Sequence, residues 1–188
     1  MQHIQQYLTD LKTALDALDP EQIKAARDCV ARVRDRGGQL FLCGNGGSAA
    51  TASHLANDLG KGASYGRKGP RFRVTALTDN IPWITALAND VGYEVIFAEQ
   101  LRNLGQPGDV LLAISGSGNS PNILEAVKVA REIGIEVIGW TGFGGGKLAG
   151  LSDLAIVADS HHMGRVEDVH TILMHLICYY FMEEEDDS

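Results

Sequence analysis

The sequence predicts an α/β protein, a parallel β-sheet covered by helices on both faces. Short apolar runs such as Leu40-Phe41-Leu42-Cys43 lack the alternation of a strand with one wet face, as strands buried on both sides do. Helix-period segments follow these runs in turn, the order that parallel strands with crossover helices require. No linker long enough to divide the chain interrupts the pattern, so 1–188 reads as one domain.

The chain opens on a helix whose Ile4, Leu8, Leu11, Leu15 and Leu18 follow a 4-3-4-3 spacing, the narrow seam of helix-on-helix packing. That seam suits docking on the chain's own core and, equally, packing on another subunit. Asp19 and Pro20 then supply an N-cap and a first helical residue. Ile23, Ala26, Val30 and Val33 carry a second amphipathic helix to a glycine stop at Gly37-Gly38. Strands are expected over 40–43, 72–77, 109–114, 136–140 and Leu154–Val157. Helices are expected over 49–59, 81–89, 95–104, Pro121–Ile133 and 165–182, with a glycine-dense turn at 142–146.

The net charge of −8, from 16 Lys and Arg against 24 Asp and Glu, opposes a nucleic-acid partner, which needs clustered cations on phosphates. No run approaches the ~20 apolar residues of a membrane span. Met1 to Tyr7 lacks the basic-then-apolar pattern of a secretory signal, so the expected location is cytoplasmic. Cys29, Cys43 and Cys178 have no metal-ligand spacing and read as free, buried thiols. The acidic run 183–187 reads as a solvated, frayed end.

Two loops share one construction, an apolar strand, a small-residue turn and then a helix. The first is Gly44-Asn45-Gly46-Gly47-Ser48, and the second is Ser115-Gly116-Ser117-Gly118-Asn119-Ser120 before Pro121. Glycines allow backbone N–H groups to turn toward an anion, and a helix start adds partial positive charge. Ser115, Ser117 and Ser120 add hydroxyls, a set suited to a phosphate monoester. Neither loop ends in Lys, which sets them apart from a nucleotide-triphosphate loop. Gly44-x-Gly46-x-x-Ala49 also spells a dinucleotide-binding turn. The acidic residue expected about 20 positions on is missing from Ser64-Tyr65-Gly66-Arg67, which disfavours that cofactor.

Gly44-Asn45-Gly46-Gly47-Ser48-Ala49-Ala50, Ala88-Asn89-Asp90, Gly108-Asp109-Val110-Leu111-Leu112, Ser115-x-Ser117-Gly118-Asn119-Ser120, Thr141-Gly142 and Arg165-Val166-x-x-x-His170-x-x-x-x-His175 occur in this order. Over nearly the whole chain they resemble the motifs of the sugar isomerase (SIS) family. The resemblance implies a flavodoxin-like, three-layer, doubly wound sheet with an added N-terminal helix, and a homotetramer with its sites at subunit contacts. It implies conversion of sedoheptulose 7-phosphate to D-glycero-D-manno-heptose 7-phosphate, a precursor of lipopolysaccharide or other surface sugars. Phosphate and sugar binding carry over to Asn45, Gly46, Gly47, Ser48, Asn89, Asp90, Ser115, Gly116, Ser117, Ser120 and Glu167.

Members of the family hold zinc with a His and a Glu one turn apart, plus a Gln and a His on the last helix. The matching positions are His54, Asp58, Glu167 and His175, so Asp58 replaces the usual Glu and Glu167 the usual Gln. His54 and Asp58, at i and i+4, share a helix face and offer suitable zinc donors. By the resemblance Asp58 and His175 are base and acid, and Glu167 is a second carboxylate able to serve as base. Eight residues of helix between Glu167 and His175 rise ~12 Å. Zinc bonds are ~2 Å long, so a composite site at a subunit interface is expected.

Two other functions fit the same resemblance. One is a non-catalytic SIS module that binds phosphosugars or associates with a replication initiator, and the other is an isomerase or epimerase of a different sugar phosphate. Glu167-x-x-His170 matches half of a carboxylate di-iron pattern without a second half. His161-His162 reads as an exposed loop pair.

Overall fold

A computed structural model describes residues 1–184. Five strands, β1 (Gln39–Cys43), β2 (Arg73–Ala76), β3 (Val110–Ser115), β4 (Glu136–Thr141) and β5 (Leu154–Val157), form one sheet in the order β2-β1-β3-β4-β5. Every pairing is parallel, and Leu40 stands opposite both Val74 and Val110. The expected flavodoxin-like sheet is present. All five strands lie within two residues of their expected bounds.

Alternation along each strand explains the two layers of helices. Leu40, Leu42, Val110, Leu112, Ile114, Ile138 and Trp140 face one core. That core is closed by α1 (Gln2–Asp16), α2 (Pro20–Asp35), α3 (Gly47–Asn57) and α8 (Met163–Tyr179). Phe41, Cys43, Leu111, Ala113 and Val137 face the other. There they meet α4 (Ile81–Asp90), α5 (Ala98–Leu104), α6 (Pro121–Ile133) and α7 (Gly146–Leu151). All six residues of β3 are buried, as the central strand of such a sheet must be.

Helix starts follow local chemistry. Asp19 accepts from the Glu21 N–H at 2.9 Å, and Pro20 and Pro121 occupy first-turn positions where their missing N–H is harmless. The region 95–104, read as one helix, divides into a 3-10 turn, Tyr93–Val95, and α5. The turn at 142–146 runs directly into α7, whose six residues carry a single buried anchor, Leu148, too few for a periodic signal. Two helices end in π-helical turns, Asp58–Gly62 after α3 and Tyr180–Glu184 after α8.

The seam of the first helix divides in two. Leu11, Leu15 and Leu18 pack on the core, whereas Ile4 and Leu8 are 56% and 59% exposed. Polar contacts fasten this helix to α8: the Tyr7 hydroxyl donates to Asp168 at 2.7 Å, and Arg165 pairs with Asp10 at 2.8 Å. Cys29, Cys43 and Cys178 are free and buried, and burial pushes the Cys43 thiol up to about 12. No helix among the described residues is long and apolar enough to cross a membrane. Of the acidic run 183–187, residues 185–187 lie outside the described residues.

Burial of His170 has a measurable consequence. Desolvation pushes its imidazole from 6.5 down to about 4. The folded-state value lies below the unfolded one, so the stabilising contribution is full above pH ~6.5 and is lost as pH falls toward ~4. Unfolding free energy should drop by ~3 kcal/mol across that window. Denaturant titrations of His170→Gln, which cannot titrate, should lack this share of the slope.

Candidate active site

The two small-residue loops lie at the carboxyl ends of the neighbouring strands β1 and β3, where ligands bind in open parallel sheets. Together they line a cavity of about 230 Å³ with Asn45, Gly46, Gly47, Ser48, Ser115, Gly116, Ser117, Ser120, Met163 and Glu167. No Lys or Arg is among the described lining residues. An anion there would be held by backbone N–H groups, hydroxyls and the starts of α3 and α6. Ser115 and Ser120 Oγ are 3.1 Å apart, and Ser117 Oγ accepts from the Asn119 N–H at 3.2 Å.

The Glu167 carboxylate presses on the first loop: a Cβ on Gly47 would stand 2.5 Å from Glu167 Oε1, so a larger residue there would push this flexible carboxylate aside. Asn45 is held by a reciprocal amide pair with buried Asn122, at 2.9 and 2.8 Å, and Tyr93 donates to Asn45 Oδ1 at 3.2 Å. This clamp joins the two loops.

A second cluster lies further along α3 and α8. His54, Asp58 and His175 each offer a donor atom, and all three atoms lie within 4.8 Å of one another. His54 Nε2 is 3.4 Å from Asp58 Oδ2, and the two imidazoles meet edge to face at 5.3 Å. Asp58 stands at the first residue of the π-helical turn that follows α3. Two imidazoles and one carboxylate are a catalytic zinc donor set, one that leaves a coordination position open. Donors ~2.1 Å from a tetrahedral zinc stand ~3.4 Å apart, the spacing of His54 Nε2 and Asp58 Oδ2, 3.4 Å. The residues present therefore fit the metal.

The family model for the SIS domain matches residues 4–142. Phosphoheptose isomerase from Rhodospirillum rubrum is 45% identical over 159 residues, 85% of this chain and 83% of that protein. The chain belongs to the SIS domain family. Two solved phosphoheptose isomerases have the same fold. One, from Neisseria gonorrhoeae, has a TM-score of 0.87 at 33% identity, covering 96% of this chain and 95% of that one. The other, from Francisella tularensis, has a TM-score of 0.88 at 30% identity, covering 97% and 96%. Kinship at this coverage makes the chain an isomerase-class enzyme.

Within this SIS domain the residues read from sequence fall into three places. Asn45 to Ser48, Ser115 to Ser117, Ser120 and Glu167 share the loop cavity. His54, Asp58 and His175 share the donor cluster, and Glu167 is not part of it. Asn89 and Asp90 sit exposed at the end of α4, bonded to each other at 2.7 Å, and do not line the described cavity. Asn122, Tyr93 and Met163 were not legible as site residues. Asn122 had one signal, a polar side chain in the first turn of a helix that starts beside the serine loop.

Proposed function

We propose that this SIS-domain enzyme is a phosphosugar ketose–aldose isomerase whose substrate is sedoheptulose 7-phosphate and whose product is D-glycero-D-manno-heptose 7-phosphate. One observation carries the reading. Helices α3 and α8 pack together, each with loop-cavity residues at one end and donor-cluster residues at the other. Along α8, Glu167 and His175 are separated by a rise of ~12 Å. An open seven-carbon chain, extended at ~1.2 Å per bond, places its carbonyl end roughly 9 Å from its phosphorus. A linear heptose 7-phosphate, roughly 9 Å long, is thus of the same order as the ~12 Å rise along α8, which supports an anion cradle at one end and a proton-transfer centre at the other.

In the proposed reaction the serine loop and the start of α3 grip the phosphate, and Asn45 and Glu167 take sugar hydroxyls. Asp58 removes a proton from C1 of the ketose and delivers one to C2, through an enediolate. His175 moves a proton from O1 to O2, so one C–H and one O–H bond break and one of each forms. His54, Asp58 and His175 would hold a zinc ion, whose charge stabilises the developing oxyanion. A homotetramer belongs to the same reading, supported by the exposed apolar residues Ile4, Leu8, Leu176 and Tyr179.

The test is to incubate zinc-loaded protein with sedoheptulose 7-phosphate and follow aldose formation. Turnover that falls with chelation and returns with zinc is expected. Tight phosphosugar binding without turnover would leave a binding module and remove the isomerase.

A further inference from the structure

We propose that His170 is a positioning residue for the phosphate-binding loop, its Nε2–H fixing where the serine loop sits relative to α8. The inference rests on the phosphosugar reading above, but its geometry is independent of the donor cluster.

One face of α8 meets the loop through Met163 and Val166, and the end of β4 beside it through His170. Met163 Sδ lies 2.5 Å, and Val166 Cγ1 3.6 Å, from where a Cβ on Gly116 would stand. Val166 also fills the space beside Gly142, with Cγ1 2.8 Å from a Cβ placed there. Both contacts are apolar, and apolar contacts resist separation without dictating register. The contact of His170 is directional: Nε2 lies 3.1 Å from the Thr141 carbonyl oxygen. A carbonyl only accepts, so the imidazole carries its proton on Nε2 and leaves Nδ1 as a bare acceptor.

Thr141 leads straight to the loop. It pairs in register with Ser115, and its carbonyl also accepts from the Ala158 N–H at 2.8 Å. The next residue, Gly142, donates its N–H to Gly116 O at 2.8 Å. Helix α8 is therefore tied through His170, Thr141 and Gly142 to Gly116, in the lining of the anion cavity. The same helix carries Glu167 and His175, so this tie sets both ends of the substrate span against each other.

A space-filling role does not account for the choice of residue. The ring is 1% exposed, and Nδ1 is buried with no partner among the described residues. An unmatched buried acceptor destabilises a fold, whereas leucine or phenylalanine in the same volume would not. The side chain is held for the bond it makes. Burial also keeps it neutral, its pKa pushed down to about 4, so the donating form persists at neutral pH.

The test compares His170→Leu, which fills space without donating, with His170→Gln, whose amide N–H reaches the same carbonyl. Calorimetric Kd and steady-state KM for sedoheptulose 7-phosphate should rise about tenfold in the leucine variant, with kcat falling less than KM rises. The glutamine variant should restore both to within about threefold. Amide hydrogen exchange of 115–120 in ligand-free protein makes the same comparison without substrate. Faster exchange in the leucine variant alone is the expected result. Loop exchange and Kd unchanged in His170→Leu, or equally altered in both variants, would overturn the proposal. A wild-type protein that binds no sugar phosphate defeats the functional reading instead, and the exchange comparison still decides the positioning role.

Discussion

His175→Ala is expected to lower kcat with sedoheptulose 7-phosphate by about 10²–10⁴-fold, the range for loss of a positioned acid–base group. The side chain is one of three that converge, its ring 5.3 Å from that of His54, so truncation removes a proton carrier and a metal donor together. Binding should survive. The phosphate cradle lies on the other side of a rise of ~12 Å along α8, and the alanine variant keeps every group in it. Calorimetry should return a Kd within about threefold of wild type, with bound zinc reduced. Transition-state stabilisation would then be lost while ground-state binding is kept. Full activity in the alanine variant would remove His175 from the mechanism.

Asp58 offers a related comparison. In this chain a carboxylate one methylene shorter than the expected Glu begins a π-helical turn, and π insertions shift the direction of the side chains that follow them. The turn belongs to the backbone, not to the pattern of apolar residues, and nothing in the spacing of 49–59 announces it. The pairing of His54 with Asp58 was legible, because i and i+4 on one helix face is a local relation. The approach of His175 to that pair came only from the family resemblance, since spacing alone does not give how α3 and α8 cross.

The same division holds across the molecule. The strands could be read because each is a short apolar run, and β3 is buried along its whole length. The phosphate loops could be read because glycines and serines between a strand and a helix have few other uses. Asn122 and Tyr93 escaped because the clamp they make on Asn45 links positions 77 and 48 residues apart. The ~12 Å rise between Glu167 and His175 led to the expectation that they meet only in a composite site at a subunit interface; within this chain Glu167 lies in the loop cavity and His175 in the donor cluster with His54 and Asp58.

Gly118→Ala is expected to have the largest effect on the fold, about 2–5 kcal/mol of destabilisation. Gly118 has φ +66°, a left-handed conformation that costs an L-residue ~1–2 kcal/mol. The added methyl would also run into the Gly145 carbonyl oxygen, with the Gly146 Cα only 3.0 Å away. These obstacles are backbone, which cannot rotate aside as a side-chain tip can, so overpacking adds a further ~1–3 kcal/mol. The Gly118 carbonyl meanwhile accepts from the Leu148 N–H at 2.9 Å, and Gly118 N–H donates to Ser115 O at 2.9 Å. The loop cannot shift away from the methyl without breaking its own turn or its hold on α7. Calorimetric melting should show Tm lowered by ~2–4 °C per kcal/mol, and the folded fraction should lose at least about tenfold in phosphosugar affinity. Ser117→Ala removes one hydroxyl from the same loop and leaves the backbone alone, so it should weaken binding with little change in Tm. A Gly118 variant that melts and binds like wild type would mean that the turn is not the rigid anion cradle on which the substrate reading depends.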